Sequence, residues 1–279
     1  MLETLYPTHF APPTLPATEP DARPVGPFRV LDCTLRDAVA TIAFSTARQP
    51  VAYALHVGGL NHRHDVEFVN ALRSTPFVYA DGVSVTRLAR LAGARHIERA
   101  ATTDIGPQLV ERRAAHLGRP ARLALIGGTP GLAEAAGAKL VGMTGAAEVV
   151  YATHGFHSDF GNVLAQLAAA RPDIVIVGLG MPFEAKWVAQ HLADLPPALI
   201  FTCGGWFGFL AGTERRAPKA LQTAGLEWAY RLAQAPGRLL GRYASGLLTT
   251  LLMAAGQLRA GIRATRSRAA VPLLDRHPI

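Results

Sequence analysis

Three apolar runs, each closed by a glycine turn, constrain this chain more than any other feature. Arg122–Ile126 runs into Gly127-Gly128, Asp173–Val177 into Gly178-Leu179-Gly180, and Ala198–Thr202 into Cys203-Gly204-Gly205. A strand with one wet face alternates apolar and polar residues. These runs (LALI, IVIVG, LIFT) are apolar nearly throughout, so they call for cover on both faces, as in a parallel sheet flanked by helices. The segments around them fit that plan. Phe28–Leu31, Val51–Val57, Phe77–Ala80 and Glu148–Ala152 read as further strands. Helical spacing marks Leu35–Ala47 behind a Thr34 cap, Arg63–Leu72, Val83–Leu91, a helix from Gly131 to about Val141, Asn162–Ala170, and Pro182–His191 with proline in its first turn. The expected fold is α/β: a doubly wound, mainly parallel, Rossmann-like sheet over residues 28–212.

The ends differ from this core. Residues 1–27 are proline-rich, with neither a basic nor an apolar leader region, and read as a disordered lead-in rather than a signal peptide. Residues 213–279 hold eleven Lys or Arg against three acids, the whole formal net charge of +8. Inside that segment Tyr243–Leu258 carries no charge, with Arg238 and Arg242 before it and Arg259, Arg263, Arg266 and Arg268 after it. It falls short of the roughly 20 apolar residues of a membrane span. It suits a helix lying in the interface of an anionic membrane, or a subunit interface. The segment is therefore read as a helical, basic appendage for membrane association. The chain has no aromatic stacking platform or nucleic-acid motif beside its basic residues, so nucleic acid is not expected as a partner. Cys33 and Cys203 make no disulfide framework or metal-type spacing.

Glycine turns at the carboxyl ends of parallel strands let backbone amides approach a phosphate, which points to a nucleotide or nucleotide-sugar site. GGTPG is neither GxGxxG nor a Walker loop, which counts against a dinucleotide-dependent oxidoreductase. Ala80-Asp81-Gly82 puts a carboxylate where an apolar strand stops, fit for a general base on a hydroxyl or for a helix cap. Pro182, Glu184 and Lys186 open a helix beside a glycine turn. Trp206, Phe207 and Phe209 read as core, Arg215, Arg216 and Lys219 as an exposed basic run, and Glu227-Trp228 as packing.

The order of these segments is more specific than any one of them. Ala80-Asp81-Gly82, then Arg99 and Thr103-Asp104, LIGGTPG, DIVIVGLGMP, GGWFGFLAG and RAP, and GLEWAYRL resemble, in sequence, the WecG/TagA/CpsF family of glycosyltransferases. The resemblance implies an inverting transfer from a UDP-sugar to a polyprenyl-diphosphate-linked sugar acceptor in bacterial surface-polymer or exopolysaccharide synthesis. It places the enzyme at the cytoplasmic face of the membrane, with neither cofactor nor metal required. It makes Asp81 the base and Arg99 its catalytic companion. Asn61 and Glu184 would bind sugar hydroxyls. Gly127, Gly128, Gly178, Gly180, Gly204 and Gly205, with Pro182, would line the donor. Arg231, Arg238 and Arg242 of the appendage would meet the acceptor diphosphate. Self-association is left open, and so is a non-catalytic scaffold role in a polysaccharide assembly complex. The family's Thr-x-Asn is here Gly59-Leu60-Asn61, its PxQE is Pro182-Phe183-Glu184-Ala185, the Asp after Phe207 is Gly208, and the Gly before Thr103-Asp104 is Thr102.

Overall fold

The computed structural model describes residues 21–269, with the backbone alone at Arg238 and residues 260–269. Six strands form one parallel sheet: β3 (Val51–Leu55), β4 (Phe77–Ala80), β5 (Ala121–Gly127), β6 (Ala147–Thr153), β7 (Ile174–Gly178) and β8 (Leu199–Thr202), in the spatial order β4-β3-β8-β7-β5-β6. Every residue of β3, β4, β7 and β8 is buried. Along β7, Ile174 and Ile176 enter one apolar layer while Val175 and Val177 enter the other, so both faces are covered, as the unbroken apolar runs require.

One layer is closed by α1 (Leu35–Ala43), α5 (Thr102–Leu117), α6 (Leu132–Thr144) and α9 (Trp206–Leu210). The other is closed by α3 (Val66–Arg73), α4 (Val83–Leu91), α7 (Gly161–Ala170) and α8 (Phe183–His191). Helix starts follow local chemistry. Asp65 accepts the Phe68 N–H at 3.1 Å, so α3 begins at Val66 and not at Arg63. The strand expected to reach Val57 stops at Leu55, because His56 turns the chain into a short helix, α2 (Val57–Asn61), with Nδ1 accepting the Gly58 N–H at 2.9 Å.

Phe28–Leu31 is a strand, but it stands apart from the parallel sheet. As β2 it pairs antiparallel with β1 (Ala22–Val25), which begins inside the stretch read as a lead-in. Val25, Phe28 and Val30 are buried in the second layer, and proline density at the chain start masks that apolar pattern. Residues 1–20 lie outside the described residues.

Beyond α9, the described residues form three more helices: α10 (Lys219–Thr223), α11 (Glu227–Gln234) and the 34-residue α12 (Pro236–Ala269). Helix α12 lies along α2 and α4. Among the described residues, no helix is long and apolar enough to cross a membrane.

Strand β5 leads outward to β6, whereas β7 leads back toward β8. The crevice between β5 and β7 is thus a topological switch point at the carboxyl edge. Gly127 faces Gly178 there with φ 140°, and a Cβ on Gly127 would run into the Gly178 carbonyl. Gly127→Ala is expected to lose at least about 2 kcal/mol from strain and overpacking together, read as a lowered melting temperature in calorimetry.

Candidate active site at the carboxyl edge of the sheet

Strand β4 is wholly buried and ends one residue before Asp81. The Asp81 N–H bonds the Leu55 carbonyl at 2.9 Å, so the backbone is still tied to the sheet where the carboxyl group emerges. Thr102, at the start of α5, clasps that group: its N–H reaches Oδ1 at 3.2 Å and its hydroxyl reaches Oδ2 at 3.1 Å. The Tyr79 hydroxyl lies 3.1 Å from the same Thr102 oxygen and can donate to it while Thr102 donates to Asp81. Burial pushes the Asp81 carboxyl up to about 7. The two Thr102 bonds and the charges of Arg99 and Arg231 act in the opposite sense. A half-buried carboxylate near neutrality, held by donors and placed at a strand end, suits a general base.

Glu184 lies in the first turn of α8, 1 % exposed. Its Oε2 accepts the Gly180 N–H at 3.1 Å and the Gly204 N–H at 3.0 Å, stitching the β7 and β8 turns together. Those two amides, expected to face a diphosphate, therefore already hold a carboxyl group. Oε1 has no hydrogen-bond partner among the described residues. Burial raises Glu184 to about 8, and Asp81 adds to the rise. Pro182 sits at the start of α8 behind a cis Met181–Pro182 bond. Gly205 precedes α9, and the Gly128 carbonyl accepts the Gly155 N–H at 2.9 Å, so the loop after β6 covers the β5 turn. Lys186 points elsewhere, to Asp65 at 2.7 Å and Glu67 at 3.2 Å.

The appendage closes over this edge from the β4 side. Arg99 Nη2 meets Glu227 Oε2 of α11 at 2.8 Å, and Arg216 forks onto Asp104 at 2.8 and 2.6 Å. Glu227 is thus an ion-pair partner of the site, not the packing residue its sequence context suggests, and Trp228 beside it is 49 % exposed. Arg216 is likewise drawn out of the exposed run, while Arg215 and Lys219 remain exposed. Arg231 stands 3.6 Å from Glu214 and 5.0 Å from the centre of the Phe209 ring. Trp206 and Phe207 are buried, as their sequence context predicts.

His56, which sequence reasoning passed over, stands at the end of β3 beside Gly82. Burial, then Arg242 and Arg231, push its ring down to about 4, so it is neutral at physiological pH. Because Nδ1 accepts the Gly58 N–H, the ring proton belongs on Nε2. The only sequence signal was position: one polar residue directly after an apolar strand.

The structure thus gathers Asp81, Arg99, Glu184, Arg231 and Arg242 around the carboxyl ends of β3, β4, β7 and β8. Asn61 faces α12 instead, donating to the Arg242 carbonyl at 3.2 Å and to Ser245 at 3.0 Å. The Arg238 side chain lies outside the described residues. No group of His, Cys, Asp and Glu side chains fit to hold a metal occurs among the described residues.

Residues 24–264 match the glycosyl transferase WecG/TagA/CpsF family. The chain belongs to that family. It is therefore a glycosyltransferase, and the match takes in the parallel sheet and most of the appendage. A protein of Bacillus subtilis (strain 168) named N-acetylglucosaminyldiphosphoundecaprenol N-acetyl-beta-D-mannosaminyltransferase is 28 % identical over 174 residues, covering 62 % of this chain and 67 % of the relative.

Thr102 stabilises the charged form of Asp81, so removing its hydroxyl raises the Asp81 pKa. Thr102→Val is expected to move the acid limb of the kcat/KM profile to higher pH. The activity loss is then greatest below neutrality and smallest in mild alkali, where Asp81 is ionised either way. A loss equal at every pH refutes the clasp as a charge-stabilising device.

Proposed function

We propose that this glycosyltransferase moves a sugar from a UDP-sugar to a hydroxyl of polyprenyl-diphosphate-linked N-acetylglucosamine, with inversion, at the surface of an anionic membrane. The placement of Asp81 carries the reading, and the activity for which the Bacillus relative is named supports the acceptor class. The donor lies across the carboxyl ends of β5, β7 and β8. Asp81 takes the proton of the acceptor hydroxyl as that oxygen bonds the anomeric carbon. The bond from that carbon to the UDP oxygen breaks, and UDP leaves with the electron pair. Arg99 meets the charge growing on the leaving diphosphate, while Arg231 and Arg242 meet the acceptor diphosphate. Glu184, buried and raised to about 8, holds the Gly180 and Gly204 turns together beneath the donor rather than reaching it with a free oxygen. A UDP-sugar donor and a lipid-linked acceptor favour the cytoplasmic face of the membrane, in surface-polymer or exopolysaccharide synthesis.

The test is UDP release from a panel of UDP-sugars with a short-chain polyprenyl-diphosphate N-acetylglucosamine acceptor. One donor is expected to give acceptor-dependent release. Asp81→Asn is expected to lower it about 10²–10⁴-fold, the usual share of a general base. Wild-type turnover in that variant removes Asp81 from the mechanism. Binding of UDP without turnover on any acceptor favours the scaffold role.

Helix α12 supports the membrane part of the reading. It buries Leu239 and Thr249 against the core and displays Leu240, Leu247, Leu248, Leu251, Leu252 and Leu258, each 54–62 % exposed. At about 100° per residue these six leucines fall on one side of the helix, away from the buried pair. Leu247→Glu with Leu251→Glu is expected to abolish flotation with anionic vesicles while UDP binding persists. Retained flotation, or a dimer that the substitutions dissociate, assigns this face to a subunit contact instead.

A further inference from the structure

Glu227 reaches two arginines at this edge of the molecule. Its Oε2 lies 2.8 Å from Arg99 Nη2, and its Oε1 lies 3.8 Å from Arg216 Nε. Both members of the Arg99 pair are sheltered, with 22 % and 14 % of their side chains exposed, which sets the pair apart from an ordinary surface contact. Arg216 in turn forks onto Asp104, two residues beyond Thr102 in the first turn of α5. Arg99 is joined to the same region through its backbone, because the next residue, Ala100, donates to the Ala80 carbonyl at 2.8 Å. Arg99 and Thr102 thus flank the Asp81 carboxyl group, and a single residue of α11 braces the arginine.

We infer that Glu227 is a positioning residue for transfer, holding the Arg99 guanidinium at the Asp81 edge so that docking of α11 and readiness of the site are one event. The inference rests on the role proposed above for Arg99. A guanidinium on a free side chain samples several rotamers, whereas one anchored through Nη2 keeps a fixed fork and leaves most of its five N–H groups for a phosphate. Arg216, itself anchored on Asp104, faces Glu227 from its other side, so the brace is tied through that arginine to α5.

A residue that merely fastens α11 would also lower activity when changed, so the test is a double-mutant cycle on the full-length enzyme. Initial rates of acceptor-dependent UDP release are measured for wild type, Glu227→Gln, Arg99→Ala and the double variant, with melting temperatures alongside. If Glu227 acts through Arg99, Glu227→Gln lowers kcat/KM on the order of 10-fold in the wild-type background and leaves the Arg99→Ala enzyme essentially unchanged, the non-additivity of coupled residues. Glu227→Asp keeps the charge with one methylene less reach and is expected to recover part of the rate; it also serves the cycle should Glu227→Gln fail to fold. The same fold-loss in both backgrounds overturns the inference and makes Glu227 a fastener of the appendage. A wild-type rate in Arg99→Ala alone refutes the role of Arg99 instead, and is separable because it needs no change at Glu227.

Discussion

Desolvation of one carboxyl group is the constraint around which this edge of the molecule is arranged. Asp81 emerges, half-buried, from a strand with no exposed residue, where water stabilises its charge only weakly. Unopposed, burial would keep it protonated and useless as a base. Three features from different parts of the chain pull it back: the hydroxyl and amide of Thr102, the charge of Arg99, and the charge of Arg231. Glu184 feels the same burial with the charge of Asp81 added, and rises further, to about 8. Both carboxyl groups are pushed upward by burial, and each is countered by its own donors: the Thr102 clasp with two arginines at Asp81, and the Gly180 and Gly204 amides at Glu184.

The appendage is part of this electrostatic arrangement and not only a handle. Its net positive charge suggests at first a surface turned wholly toward an anionic partner. Part of that charge is turned inward: Arg216 sits on Asp104, and Arg231 lies beside Glu214 and the Phe209 ring. Arg242 is exposed, yet lies close enough to His56 to depress its ring. Arg215, Lys219 and Arg259 also face outward among the described side chains. A membrane contact of α12 would draw on Arg242 and Arg259 together with the leucine face.

The sheet was legible because its strands are apolar on both faces. Phe77–Ala80 and Val83–Leu91 fall where the residue pattern puts them, and strands β5 to β8 differ from it by a residue or two at their ends. The hairpin at the start was only half legible: Phe28–Leu31 reads as a strand, but Val25 is the one buried residue of β1, which leaves no alternation to read. The reach of Asp81 was visible as an acid after an apolar strand. Its partner was not. Thr102 is 21 positions from Asp81, and a hydroxyl's target depends on a fold that brings the two together. The ion pair from Arg99 to Glu227 spans 128 positions and leaves no periodic trace. Glu184 shows the opposite failure: the glycine turns were correctly read as close backbone, but their amides are taken by an acid from the next helix.

One helix joins the two halves of the proposed chemistry. Near its start α12 carries Arg242, whose charge is felt at His56 and whose carbonyl holds Asn61. Further along, Arg63 donates to Thr249 at 3.1 Å, fixing the helix to the core about two turns later. The exposed leucines occupy the face opposite these attachments. A lipid-linked acceptor would carry its tail in the membrane and its diphosphate at the headgroup level. A helix resting on that surface by its leucines would place Arg242 beside the diphosphate and leave the sugar to reach Asp81. Pre-positioning of this kind replaces a search in three dimensions by one constrained to a surface, so acceptor binding need not supply all of the orientational entropy itself.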